Sequence, residues 1–198
     1  MTEPSEVERA LVEIARDLAV TGVKFALVGG LAVSVRAEIR FTRDVDVAVP
    51  IADDAAAESL VFALGARGYR PVASVEHETV RRLATARLLS RAGVKVDLLF
   101  ASSGIEAETV GKAEEADFPN VGLIPVARAE ELLAMKVLSM TDQRLQDRLD
   151  AQRLLLCNPA LDLGVVREDL RLIQVRGFDR GQDLQEKLAA LVREVRPG

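Results

Sequence analysis

The sequence predicts an α+β fold in which strands and helices alternate through about residue 125 and the remainder is helical. Three observations predict it. Short apolar runs of strand length occupy residues 24–28, 41–49 and 94–100, the second of them rich in Val. Residues 4–21 and 53–68 repeat apolar side chains with helical spacing, and from Ala127 onward that spacing continues almost to the end. The clearest boundary lies near Pro125-Val126, giving an expected core of residues 1–125 and a helical region of residues 126–198 packed on it. A chain of 198 residues is long enough to bury a core of this kind.

In chain order, Val7, Leu11, Ile14, Ala15 and Leu18 form one stripe of the first helix, with Glu6 and Glu8 near its start and Gly22 placed to end it. The run at 24–28 then enters a tight turn at Gly29-Gly30. Residues 31–38 carry helix formers with no breaker, and the second strand follows. Ala57, Leu60, Val61 and Leu64 pack the next helix, and residues 69–75 read as a strand. Residues 79–91 and 94–100 form a hairpin through Ala92-Gly93. His77, the sole histidine, falls in the polar connection before it and reads as solvated. A short helix over 105–113, a strand over 118–125 and a helix over 127–140 come next. The helix carrying Asp147 and Asp150 is followed by two more, separated near residues 177–181, where no chemistry is evident.

The informative stretch is Asp44-Val45-Asp46. Residues two apart on a strand share a face, so both carboxylates point one way while Val45, Val47 and Val49 point the other. Adjacent like charges repel unless something positive joins them. Mg²⁺ takes carboxylate oxygens and is completed by water and substrate phosphates, so two such aspartates under a Gly-Gly turn suggest a metal–phosphate site. A D-x-D pair is also common on solvated strands. Asp97, however, interrupts the apolar run 94–100, and an unpaired carboxylate buried there would cost several kcal/mol. If its strand lies beside Asp44 and Asp46, three carboxylates converge as a two-metal centre requires.

Composition bounds the partners. The net charge of −5 attracts no polyanion as a whole, which argues against nonspecific duplex DNA binding. Aromatics are 4% and Trp is absent, so stacking platforms for single strands are mostly missing. Arg81, Arg82, Arg87 and Arg91 read either as a local RNA-facing patch or as a solvated hairpin. Cys157 is the only cysteine; it rules out an intrachain disulfide, fits a reducing cytosol, and reads as a helix-packing residue. The N-terminus has no signal-peptide pattern and no apolar run is long enough to span a bilayer, so a cytoplasmic location is expected.

The order Gly29-Gly30, Asp44-x-Asp46 and a later strand with Asp97 resembles the nucleotidyltransferase superfamily, whose palm is of the DNA polymerase β type. The fuller string Arg40-x-Thr42-x-Asp44-x-Asp46 resembles the branch that holds AbiEii-type toxins of type IV toxin–antitoxin systems. The likeness covers about residues 20–156, and Ala37 stands where many relatives carry Gly. It implies a mixed β-sheet flanked by helices, with a C-terminal helical region. It implies Mg²⁺-dependent transfer of an NMP from an NTP to an acceptor hydroxyl, with Asp44, Asp46 and Asp97 as catalytic metal ligands. Gly29, Gly30, Arg40, Thr42, Lys136 and Asp147 would then bind the substrate. From the residues alone, Arg40 could equally pair with an aspartate, Lys136 could snorkel from an apolar stripe, and Asp147 and Asp150 could pair with Arg144, Arg148 or Arg153 on an exposed face. The acceptor implied is RNA, with an antitoxin protein as partner. A small-molecule (antibiotic) nucleotidyltransferase and a non-catalytic nucleotide- or partner-binding protein of the same fold are the alternatives.

Overall fold

The structure, a computed structural model, describes residues 4–118 and 121–196. Seven strands form one sheet in the order β3-β4-β5-β2-β1-β7-β6. They are β1 (Ala26–Val28), β2 (Asp44–Ala48), β3 (Arg70–Glu76), β4 (Leu83–Leu89), β5 (Lys95–Leu99), β6 (Glu114–Phe118) and β7 (Gly122–Val126). β2 runs parallel to β5 and β1 to β7, while the other neighbours are antiparallel, so the sheet is mixed. The register pairs Asp46 with Asp97, Val45 with Val96 and Val47 with Leu98. Directly opposed residues share a face, so the aspartates lie on one side and the buried Val and Leu side chains on the other.

The helices are α1 (Glu6–Thr21), α2 (Gly29–Arg36), α3 (Asp54–Gly65), α4 (Glu106–Gly111), α5 (Ala129–Ser139), α6 (Leu145–Cys157), α7 (Leu163–Val175) and α8 (Leu184–Val195). α1 begins where Ser5 and Glu8 cap each other reciprocally and ends at Gly22, whose φ of +72° only glycine adopts freely. Its buried stripe, Leu11, Ile14 and Leu18, lies against the sheet, and each such side chain contributes about 1.5–3 kcal/mol relative to exposure. α5 to α8 form a bundle in which α5 touches the other three. α2 ties this bundle to the sheet. Arg36 donates to the carbonyls of Ala127 and Val126 at 2.9 and 3.1 Å, and Asn158 donates back to the Arg36 carbonyl at 2.8 Å.

Three local expectations are corrected. The strand expected over 118–125 is an antiparallel hairpin, β6 with β7, of which residues 119 and 120 lie outside the described residues. β6 escapes apolar-pattern reading because it is a sheet edge carrying Glu114, Glu115 and Asp117, charges that discourage further pairing. His77 is buried rather than solvated, because the connection between α7 and α8 brings Phe178 against it at a ring distance of 4.6 Å. Burial, with the Arg180 guanidinium, holds its imidazole below the usual range. Cys157 is exposed rather than packed: α6 buries Ala151, Leu154 and Leu155 and ends before that face turns inward again.

Candidate active site

β1 delivers the chain to Gly29, which takes φ +64° beside the start of β2. A Cβ at Gly29 would fall 1.9 Å from Asp46 Oδ2, so any other residue would displace that carboxylate. At Gly30 a Cβ would meet Arg40 Nη2 at 2.5 Å and Thr42 Oγ1 at 2.9 Å. The two glycines thus let loop 37–43 and the Asp46 side chain close on the α2 N-terminus. Ala37 needs no such freedom, with φ at −142°.

Thr42 Oγ1 donates to Asp44 Oδ1 at 2.8 Å and orients that carboxylate. Among the described residues, neither Asp44 nor Asp46 has an ion-pair partner. The consequence shows at Asp46: burial first, then the Asp44 and Asp97 carboxylates, push its pKa up to about 7 against the opposing pull of Lys136 and the Gly30 amide. Two carboxylates on one face, short of positive charge and under a bend that holds no side chain, fit a hard divalent cation.

Asp97 faces the same side but is already engaged. Arg87, its cross-strand partner on β4, grips it with both arms, Nε to Oδ1 at 2.8 Å and Nη2 to Oδ2 at 2.6 Å. Among the described residues no three His, Cys, Asp or Glu side chains converge closely enough to hold an ion. The three carboxylates share register and face as expected, but they do not close up as a three-acid metal cluster, and the third is held by a guanidinium.

The remaining residues form a separate charged knot. Lys136 Nζ donates to Asp147 Oδ1 at 2.7 Å and reaches Asp150 Oδ2 at 2.8 Å. Arg40 lies on Asp150 as well, at 2.9 and 3.0 Å, and Arg144 on Asp147 at 2.7 Å. Burial alone would raise the Asp150 carboxyl, but Lys136, Gln146 and Arg40 hold it below the usual range. Neither a snorkelling Lys136 nor an exposed Asp147/Asp150 face describes this, since all three side chains are buried. Arg40 takes the aspartate.

The hairpin arginines do not form a free patch: Arg81 pairs with Glu76, Arg82 with Asp54, Arg87 with Asp97, and Arg91 donates to the Arg67 carbonyl. Two site features went unread in the sequence. The Arg87–Asp97 pair was legible in principle, because both residues are equidistant from Ala92 in the hairpin. Loop 37–43 alternates, with Arg40 and Thr42 turned inward, so Ile39 and Phe41 stand 92% and 79% exposed. Arg43 lies over the Phe41 ring at 5.4 Å from its centroid. A cavity of about 1050 Å³ between α3 and β3 is lined by residues that include Phe62, Val72 and Leu83, and Asp44, Asp46 and Asp97 do not line it.

Among solved structures, the chain is similar to ANT(2")-Ia in complex with adenylyl-2"-tobramycin, at 12% identity and TM-score 0.54 over 87% of this chain and 99% of that one. It is also similar to an antigenic nucleotidyltransferase-like protein from Paracoccidioides brasiliensis, at 19% identity and TM-score 0.49 over 97% and 89% of the two chains. A third is the lincosamide antibiotic adenylyltransferase LnuA bound to lincomycin, at 17% identity and TM-score 0.48 over 77% and 98%. At such identities the first of these likenesses speaks to the fold. No curated protein matches the chain. Among the described residues no helix is long and apolar enough to cross a membrane. The model of the nucleotidyl transferase AbiEii toxin family, of type IV toxin–antitoxin systems, matches residues 10–194, and the chain belongs to that family of nucleotidyltransferases.

Proposed function

We propose that the chain transfers a nucleoside monophosphate from an NTP to a hydroxyl of RNA, with Asp44 and Asp46 holding Mg²⁺ and a cognate antitoxin as its partner. The observation that carries the reading is the acid pair beneath Gly29, without an ion-pair partner among the described residues, where burial and the neighbouring Asp44 and Asp97 carboxylates raise Asp46 to about 7. When bound, Mg²⁺ supplies charge neutralisation at the phosphates and the leaving pyrophosphate. The chain's own parts do the rest. Gly29 and Gly30 admit the phosphates close to the backbone, and Thr42 orients Asp44. Lys136 has three N–H donors and spends two on Asp147 and Asp150, which leaves one for a phosphate oxygen.

RNA is favoured as acceptor by the outer side of loop 37–43. Phe41, three residues before Asp44 and with Arg43 over its ring, offers a nucleobase an aromatic face and a cation. A small-molecule acceptor of the kind named for ANT(2")-Ia and LnuA is the second reading. Incubation with labelled NTPs and either total RNA or an aminoglycoside separates the two. Asp46→Asn is expected to lose transfer by a factor of at least about 10³, on the scale of removing a charge-stabilising catalytic group. Retained Mg²⁺-dependent turnover in that variant defeats the assignment, and NTP binding without product on any acceptor favours a non-catalytic protein.

A further inference from the structure

Asp44, Asp46 and Asp97 face one side of the sheet, and among the described residues only Asp97 of the three carries an ion-paired protein cation. Arg87 occupies both of its oxygens in a fork-to-fork pair, the strongest geometry open to a carboxylate and a guanidinium. A Mg²⁺ ligand oxygen sits about 2.1 Å from the ion. An ion at that range on Asp97 would share the carboxylate with the guanidinium and be repelled by it. The two side chains are unequal in freedom. Asp97 is 10% exposed and fixed mid-strand, whereas Arg87 is 44% exposed and can swing into water without leaving its own charge buried.

We infer that Arg87 is a resident counter-ion of Asp97 that competes with a divalent cation for it, so that the nucleotide-free centre takes a cation on Asp44 and Asp46 alone and Asp97 joins only when Arg87 lets go. Arg87 is thus a positioning residue, acting through Asp97. The inference rests on the metal reading of Asp44 and Asp46. A purely structural Arg87–Asp97 pair would affect folding and leave cation binding unchanged.

Titration of the nucleotide-free full chain with Mn²⁺, followed by calorimetry or by the EPR signal of the free ion, separates these cases. Wild type is expected to bind one Mn²⁺, lost in Asp46→Asn. Arg87→Gln, checked for a cooperative thermal melt, is expected to bind a second Mn²⁺ or to bind at least about 10-fold tighter (about 1.4 kcal/mol), and Arg87→Gln/Asp97→Asn to lose that gain. Arg87→Lys keeps the charge without the fork, and is expected to fall between wild type and Arg87→Gln; it carries the test if Arg87→Gln does not fold. Wild-type stoichiometry and affinity in a folded Arg87 variant would overturn the inference, as would a second, Asp97-dependent Mn²⁺ in wild type. If folded wild type and variant both bind no Mn²⁺, the metal reading falls and the inference with it.

Discussion

Two acid pairs lie close together in this molecule and have opposite electrostatic fates. Asp147 and Asp150, three apart on α6, hold Lys136, Arg40 and Arg144 among them. Asp44 and Asp46, two apart on β2, have Thr42 on one carboxylate and no ion pair on either among the described residues. The first pair is neutralised from within and braces α5 and α6 against loop 37–43. The second keeps its repulsion, held in place by strands whose opposite face is packed. On the proposed metal reading a ligand cation removes that cost, and the contrast is then one between a brace and a binding site.

The contrast breaks most sharply by removing an acid from each pair. Asp150→Ala leaves Lys136 and Arg40 buried with fewer partners and is expected to destabilise by roughly 3–5 kcal/mol, read as a lower urea midpoint. Asp147→Ala should cost less, about 1–2 kcal/mol, since Lys136 keeps Asp150 and Arg144 is half exposed. Gly29→Ala forces a Cβ onto Asp46 at φ +64° and is expected to cost about 2–3 kcal/mol, together with the Mg²⁺-dependent rise in Tm.

Asp46→Asn is expected to act in the opposite direction on the metal-free chain, stabilising it by on the order of 2 kcal/mol near pH 8. The sign follows from the raised carboxyl. Its folded pKa of about 7 lies above the ordinary 3.8, so the folded chain holds the proton more tightly than the unfolded chain does. Stability from this group therefore falls as pH rises from about 4 to about 7 and is flat beyond. Melts at several pH values should show that fall in wild type and its absence in Asp46→Asn, and Mg²⁺ at about pH 8 should restore the wild type alone. A flat wild-type profile would mean that the two acid pairs do not differ as described. The smallest effect is on the outer loop: Phe41→Ala should change stability by less than about 0.5 kcal/mol while weakening RNA modification and leaving NTP binding intact.

Much of this architecture was legible because it is written in local periods. Alternation put the two aspartates of β2 on one face, Gly22 marked the end of α1, and the Gly29-Gly30 bend followed from an apolar run stopped by glycine. The edge strand β6 was not, since charged edges hide the apolar signal, and His77 was misread because Phe178 arrives from a hundred residues downstream. The same limit applies to the charged residues. The family resemblance names Lys136, Asp147 and Arg40 as candidates, but whether a charge meets water, a phosphate or another side chain depends on which elements pack together.

The amino-acid order by itself determined an α+β chain with a helical C-terminal stretch, a glycine bend and three carboxylates of uneven surroundings, because backbone sterics and the faces of strands and helices act over a few residues. Tertiary structure alone decided which carboxylates found cations. Arg87 reaches Asp97 through strand pairing, and Lys136 and Arg40 reach Asp150 through the approach of α5, α6 and the 37–43 loop. Charge pairing depends on distances of a few ångströms between segments far apart in the chain, which local spacing does not encode.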